Sequence, residues 1–110
     1  MDYGLCLPNF PTDASPDGID AAAGVAERLG FSTVWTTDHV LVPRAASGDY
    51  GRIYEAILTL AWVGARYPRI RLGTSVIVVP QRNAVILAKE LASLDSLTDG
   101  RVVAGVGVGW

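Results

Sequence analysis

The chain has a single histidine, and an aspartate precedes it: Asp38-His39. Histidine exchanges protons near pH 6.5 in water, so His39 is the natural proton donor or acceptor here. Asp38 is suited to hold its ring or a ligand hydroxyl. A plainer reading stands beside this one, in which Asp38 caps the loop and His39 bonds a backbone carbonyl. Thr74-Ser75 sets two hydroxyls inside a run that otherwise wants to be apolar, Arg71 to Val79. Once buried, each hydroxyl needs a partner. The partner is either the protein itself or a flat ligand pressed on a polar lip. Gln81-Arg82-Asn83 offers a cation to an anionic ligand, or a helix cap with a surface carboxylate for Arg82. Gly105-Val-Gly-Val-Gly109 looks at first like a phosphate loop, but that fingerprint follows the first strand of its unit, and these glycines alternate within the strand itself. Close approach of backbone to a neighbour or a ligand explains that alternation better.

These residues have to be carried by elements, and the pattern of elements is regular. Tyr3 to Leu7 is a short apolar run closed by Pro8, as in a buried strand. Ser15-Pro16-Asp17 reads as an N-cap, a first-turn proline and a first-turn acid. Ile19, Ala22, Ala23, Ala26 and Leu29 follow at helical spacing, with Gly30 as the stop. Thr33 to Thr37 is a second strand, and a long connection from Asp38 leads to a helix over about Tyr54–Arg66. Arg71 to Val79 is the third strand, and Ala84, Leu87, Leu91, Leu94 and Leu97 mark the third helix. Val102 to Val108 is the fourth strand. Trp35, Trp62 and Phe31 are expected in the core or between sheet and helices. Glu55 suits its place near a helix start through the helix dipole alone.

Strand–helix–strand alternation implies parallel strands joined by right-handed crossovers. The strand-to-helix loops are the longer ones and hold Asn9, Asp38, His39, Gln81, Arg82 and Asn83. In a parallel barrel those loops share the rim where barrel active sites lie. Four strands and three helices are half of what a closed barrel needs, eight strands and roughly 250 residues. Residues 1–110 are therefore expected to form an N-terminal half-barrel that stops after its fourth strand.

Composition sets the outer bounds. Half the residues are hydrophobic and only 18% are charged, which argues against disorder. A formal net charge of −2 without a basic cluster argues against a nucleic-acid surface. One cysteine, Cys6, excludes a disulfide framework and a cysteine metal cluster. No run approaches the ~18 uncharged apolar residues of a membrane span. No secretory signal opens the chain, so a cytoplasmic location is expected.

The ordered set of stretches resembles the bacterial-luciferase-like superfamily, and more closely its deazaflavin-dependent oxidoreductases. The stretches are Gly4-Leu-Cys-Leu-Pro-Asn9, Val34-Trp-Thr-Thr-Asp-His39, Leu72-Gly-Thr-Ser-Val76, Ala88-Lys-Glu-Leu-Ala-Ser-Leu-Asp95 and Gly100-Arg-Val-Val-Ala-Gly-Val-Gly-Val-Gly-Trp110. The resemblance implies a (β/α)8 barrel that binds coenzyme F-420 at its C-terminal rim and moves a hydride between the ring carbon C5 and an organic substrate. It implies a bulge with a non-proline cis peptide at Thr74-Ser75-Val76, backing the ring. It assigns Asp38 and Gly107 to the coenzyme, His39 to coenzyme contact or proton donation, and Asn9 and Trp110 to the substrate side. The alternative coenzyme is flavin mononucleotide, used with oxygen by a monooxygenase of the same barrel. Two positions depart from the family's sugar-phosphate dehydrogenases: Trp110 stands where they carry a carboxylate, and Pro43 where they carry a tryptophan. A small organic substrate is implied, but which one stays open. A further alternative is a non-catalytic fragment or assembly half, whose open edges would be covered by a second copy or by the rest of the barrel.

Overall fold

A computed structural model describes residues 1–11 and 14–109, the side chain of residue 49 excepted. Strand β1 (Gly4–Cys6) leads to helix α1 (Pro16–Leu29), β2 (Thr33–Thr36), the one-turn α2 (Ser47–Tyr50) and α3 (Ala56–Gly64). Then come β3 (Arg71–Thr74), β4 (Ile77–Val78), α4 (Ala84–Leu97), β5 (Val102–Val103) and β6 (Val106–Gly107). A parallel sheet runs β1-β2-β3-β5, and a second parallel pair, β4-β6, continues beyond it. With β3–β4 and β5–β6 each counted as one divided strand, successive strands lie side by side, the order of a partial (β/α)8 barrel.

The helix ends follow from local chemistry. Ser15 Oγ accepts the Gly18 N–H at 3.1 Å, Pro16 occupies the first turn, and Gly30 closes α1 in the left-handed region at φ 79°. Asn83 Oδ1 accepts the N–H groups of Val85 and Ile86 and so caps α4. Helix α3 is shorter at both ends than the expected Tyr54–Arg66, and Glu55 is its N-cap, accepting from Leu58 N–H at 2.6 Å.

Successive strand residues face opposite sides, which sorts the sheet into two faces. Leu5, Val34, Leu72 and Val102 lie in register and meet the buried core of Ile19, Ala23, Ala26, Leu60, Val63, Leu87 and Leu94. The opposite face carries Cys6, Trp35, Gly73 and Val103 in register. The expected place of Trp35 in the core or the sheet–helix layer is thus corrected: it alternates with Val34 and turns away from the helices. Its indole lies over two glycines, where an added Cβ would come within 2.3 Å of the ring at both Gly4 and Gly73. Phe31 and Trp62 do pack against the core as expected. Of the apolar positions that mark α4, Leu87 and Leu94 are buried, whereas Leu97 is 84% exposed.

The third and fourth strands each divide. Between β3 and β4 the Ser75–Val76 peptide bond is cis, and between β5 and β6 the chain steps out at Ala104-Gly105. The two interruptions face one another. The Thr74 hydroxyl donates to Gly105 O at 2.9 Å and accepts from Gly105 N–H at 3.0 Å, and Ile77 N–H bonds Gly105 O at 2.8 Å.

Candidate functional site at the strand ends

At the C-terminal ends of the strands, polar side chains converge, and most of them bond one another. Asp38 follows β2 and its carboxylate is buried, with a side chain 1% exposed. Oδ2 accepts from Val78 N–H at 2.9 Å and from Arg82 Nε at 3.2 Å, and Oδ1 from Arg82 Nη2 at 2.5 Å. The same Nη2 donates to Glu55 Oε1 at 2.6 Å. Burial alone would lower the pKa of Arg82, but the hydrogen bonds and charges of Asp38 and Glu55 outweigh it and raise the value above its usual one. One guanidinium therefore joins the end of β2, the start of α3 and the turn before α4. The expectation of a surface carboxylate for Arg82 is corrected, because its first partner is buried. Glu55 likewise does more than answer the helix dipole, since it also binds Arg82.

Asn9 has no exposed surface. Its Nδ2 donates to Thr37 O at 2.7 Å and Tyr54 O at 3.1 Å, and its Oδ1 accepts from Thr37 N–H at 3.1 Å. The amide stitches the loop after β1 to the end of β2 and the entry to α3. Both Nδ2 donors of this buried amide are thereby spent on backbone carbonyls. Thr74 is 1% exposed, and its hydroxyl donates to Gly105 O and accepts from Gly105 N–H. For Asp38, contact with a coenzyme through the carboxylate would displace bonds to Arg82 and Val78.

Other expected residues stay open. Ser75 is exposed and Val76 is 40% exposed, with Ser75 N–H tied to Thr36 O at 2.8 Å. A Cβ on Gly107 would lie 2.6 Å from Val76 Cγ2, so the missing side chain lets Val76 settle on this backbone. His39 is half-buried, its ring set edge-on to Tyr50 at 5.5 Å between centroids, and Tyr50 stacks on Phe10. Trp110 lies outside the described residues. Sequence reasoning missed Gln81 as a contact, along with the Phe10–Tyr50–His39 aromatic set; their common signal was placement on strand-end loops.

The donor set suits a flat heteroaromatic ring better than a metal. Val76 offers methyl groups for a ring face, and the exposed Ser75 offers a hydroxyl at its edge. Among the described residues, no group of three His, Cys, Asp or Glu could hold a metal ion. No helix among them is long and apolar enough to cross a membrane. A surface groove of about 470 Å³ runs between α1 and α3 past Ile19, Leu58 and Trp62. None of the open rim residues lines it, and its ionisable groups are Glu55 and Tyr54.

The family described as luciferase-like monooxygenase matches residues 1–110. An uncharacterized protein of Mycobacterium tuberculosis is 35% identical over 123 residues, covering 100% of this chain and 43% of that relative. The F420-dependent glucose-6-phosphate dehydrogenase of Kineococcus radiotolerans is 36% identical over 76% of this chain and 24% of its own length. Among solved structures, the coenzyme F420 dependent tetrahydromethanopterin reductase of Methanopyrus kandleri aligns over 100% of this chain and 28% of its own, at TM-score 0.78 and 27% identity. The oxygenating constituent of 3,6-diketocamphane monooxygenase from Pseudomonas putida, in complex with FMN, aligns over 100% of this chain and 30% of its own, at TM-score 0.81. At 20% identity that likeness shows a shared fold. The chain spans less than half the length of the curated relatives named here.

Proposed function

Because the chain belongs to the luciferase-like monooxygenase family, we propose that it forms the N-terminal half of a barrel that transfers a hydride between coenzyme F-420 and an organic substrate. The observation that carries this reading is the open shelf of Ser75 and Val76 beside Gly107, on the rim that also holds His39. The choice of F-420 is supported by the name of the Kineococcus relative, at 36% identity.

On this reading Val76 and the backbone around Gly107 back the ring, and Ser75 and His39 meet its polar edge. A bound deazaflavin supplies a two-electron hydride acceptor or donor at C5. The chain's own work is to orient that ring, exclude water from one side, and handle a proton. His39 takes up or returns the proton that accompanies the hydride, through an imidazole nitrogen. Asp38, Thr74 and Asn9 hold the loops that carry these groups. Trp110 keeps its assignment to the substrate side, and the coenzyme's phosphates would be held by the rest of the barrel.

The test is a fluorescence titration of the intact protein with F-420 and, separately, with flavin mononucleotide. Saturable F-420 binding that weakens in His39→Ala and Ser75→Ala is the expected result. Preferential binding of flavin mononucleotide would replace this reading with the monooxygenase one.

A further inference from the structure

Gln81 is exposed, yet its amide makes three hydrogen bonds to a segment forty residues away in sequence. Oε1 accepts from Val40 N–H at 2.8 Å and from Leu41 N–H at 3.2 Å, while Nε2 donates to Leu41 O at 3.0 Å. None of this is explained by helix capping, which Asn83 performs, or by burial of apolar surface. An exposed glutamine amide is satisfied equally well by water, so holding it in one rotamer costs side-chain freedom. That cost is understandable if the segment it grips has to be still.

His39 is the residue between the two grips. On its N-terminal side Asp38 is held by Val78 N–H and Arg82; on its C-terminal side Val40 and Leu41 are held by Gln81. All the holding groups lie within the short stretch 78–82, which begins at the last residue of β4. We infer that Gln81 is a positioning residue for His39, closing a clamp whose other jaw is the Asp38–Arg82 pair. The stretch 78–82 also continues directly from Ser75-Val76, so ring shelf and imidazole share one support. A shift of the shelf then carries His39 with it and preserves their relative placement, which is what proton handling next to a bound ring demands. This rests on the reading that His39 meets coenzyme or substrate. The clamp itself, however, is a property of the chain without any ligand.

The test uses the intact protein labelled with carbon-13 at histidine. The His39 ring cross-peak is identified by its loss in His39→Gln. Gln81→Met keeps the length of the side chain and removes all three hydrogen bonds; Gln81→Glu keeps the two acceptor bonds and loses the donated one. Without coenzyme, the His39 peak is expected to broaden or double in Gln81→Met, with Gln81→Glu intermediate, while the unfolding midpoint stays near that of the parent. An unchanged, single His39 peak in Gln81→Met would overturn the inference. In the second arm, F-420 is expected to bind roughly tenfold more weakly to Gln81→Met, because a loosened loop must be ordered on binding. Equal affinity of parent and Gln81→Met would likewise count against the clamp. If the parent fails to bind F-420, the proposed function falls, and the ring signal alone then decides the clamp.

Discussion

Replacing Arg82 with Met tests whether the strand-end network is a structural necessity. The guanidinium is 10% exposed and the Asp38 carboxylate it faces only 1%, so both charges are largely out of water. An exposed pair would contribute about 0–1 kcal/mol. Breaking a buried pair on one side leaves a charge without its partner, at a cost of about 3–5 kcal/mol. The lower end applies here, near 3 kcal/mol, because Asp38 keeps the Val78 N–H as a donor. Glu55, a third exposed, returns to water and still caps α3. The assay is urea unfolding. With a slope of about 1–1.5 kcal/mol per M for a chain of this size, the midpoint should fall by about 2–3 M. A second arm separates charge from shape: Asp38→Asn removes the carboxylate that Arg82→Met strands. The Asp38→Asn/Arg82→Met double variant should therefore be more stable than the sum of the two single losses implies, by about 2 kcal/mol. A midpoint shift below about 0.7 M, or simple additivity of the two changes, would refute the reasoning. The guanidinium's contribution should not fade across ordinary conditions. A raised Arg pKa means it is complete below the usual arginine range and lost only as pH rises beyond it.

Gly107→Ala should place a methyl 2.6 Å from Val76 Cγ2 and lower stability by about 1–3 kcal/mol through overpacking. Adding Val76→Ala should recover most of that loss; no recovery would mean the close approach is not what the position demands. Tyr67 has a raised pKa, first through burial and then through the hydrogen bond and charge of Asp20. Its neutral form is favoured in the fold, so its contribution is complete below about pH 10 and lost as pH rises further. Tyr67→Phe should accordingly show a shallower alkaline decline in urea midpoint than the parent, and an equal decline would show that other groups govern it.

What was legible in the sequence was what neighbours in sequence decide. Ser15-Pro16 and Asn83 announce helix starts because a cap and the N–H it accepts lie within three residues. The parallel order followed from alternation and from short helix-to-strand turns. The splitting of the third and fourth strands did not follow from any local signal. It depends on Thr74 meeting Gly105 across 31 residues, and the propensity of Val76-Ile-Val-Val79 argues for an unbroken strand. The resemblance to a known family supplied the Ser75–Val76 bulge where residue patterns did not. The Asp38–Arg82–Glu55 network was hidden for the same reason, with partners 44 and 27 residues apart. Trp35 shows a different failure: its size argued for a core position, while its parity with Val34 had already assigned it to the other face.

The strand-end residues also show why a polar residue on a barrel rim is weak evidence for ligand contact. A loop leaving a parallel strand carries backbone groups that the sheet no longer pairs, and those groups must be satisfied before any ligand arrives. Asn9 does this for Thr37 and Tyr54, Thr74 for Gly105, Asp38 for Val78, and Gln81 for Val40 and Leu41. Each is a polar residue at or near a strand end, and each commits polar atoms to the chain's own groups. The surface that remains open is smaller and less conspicuous: Ser75, Val76, part of His39 and the bare backbone at Gly107. The division is what preorganisation requires, because a loop already fixed by its own hydrogen bonds loses little further entropy on binding. It also predicts where substitutions divide. Changes at Asn9, Thr74 or Asp38 should act first on stability. Changes at Ser75 or His39 should act on ligand affinity while leaving the fold intact.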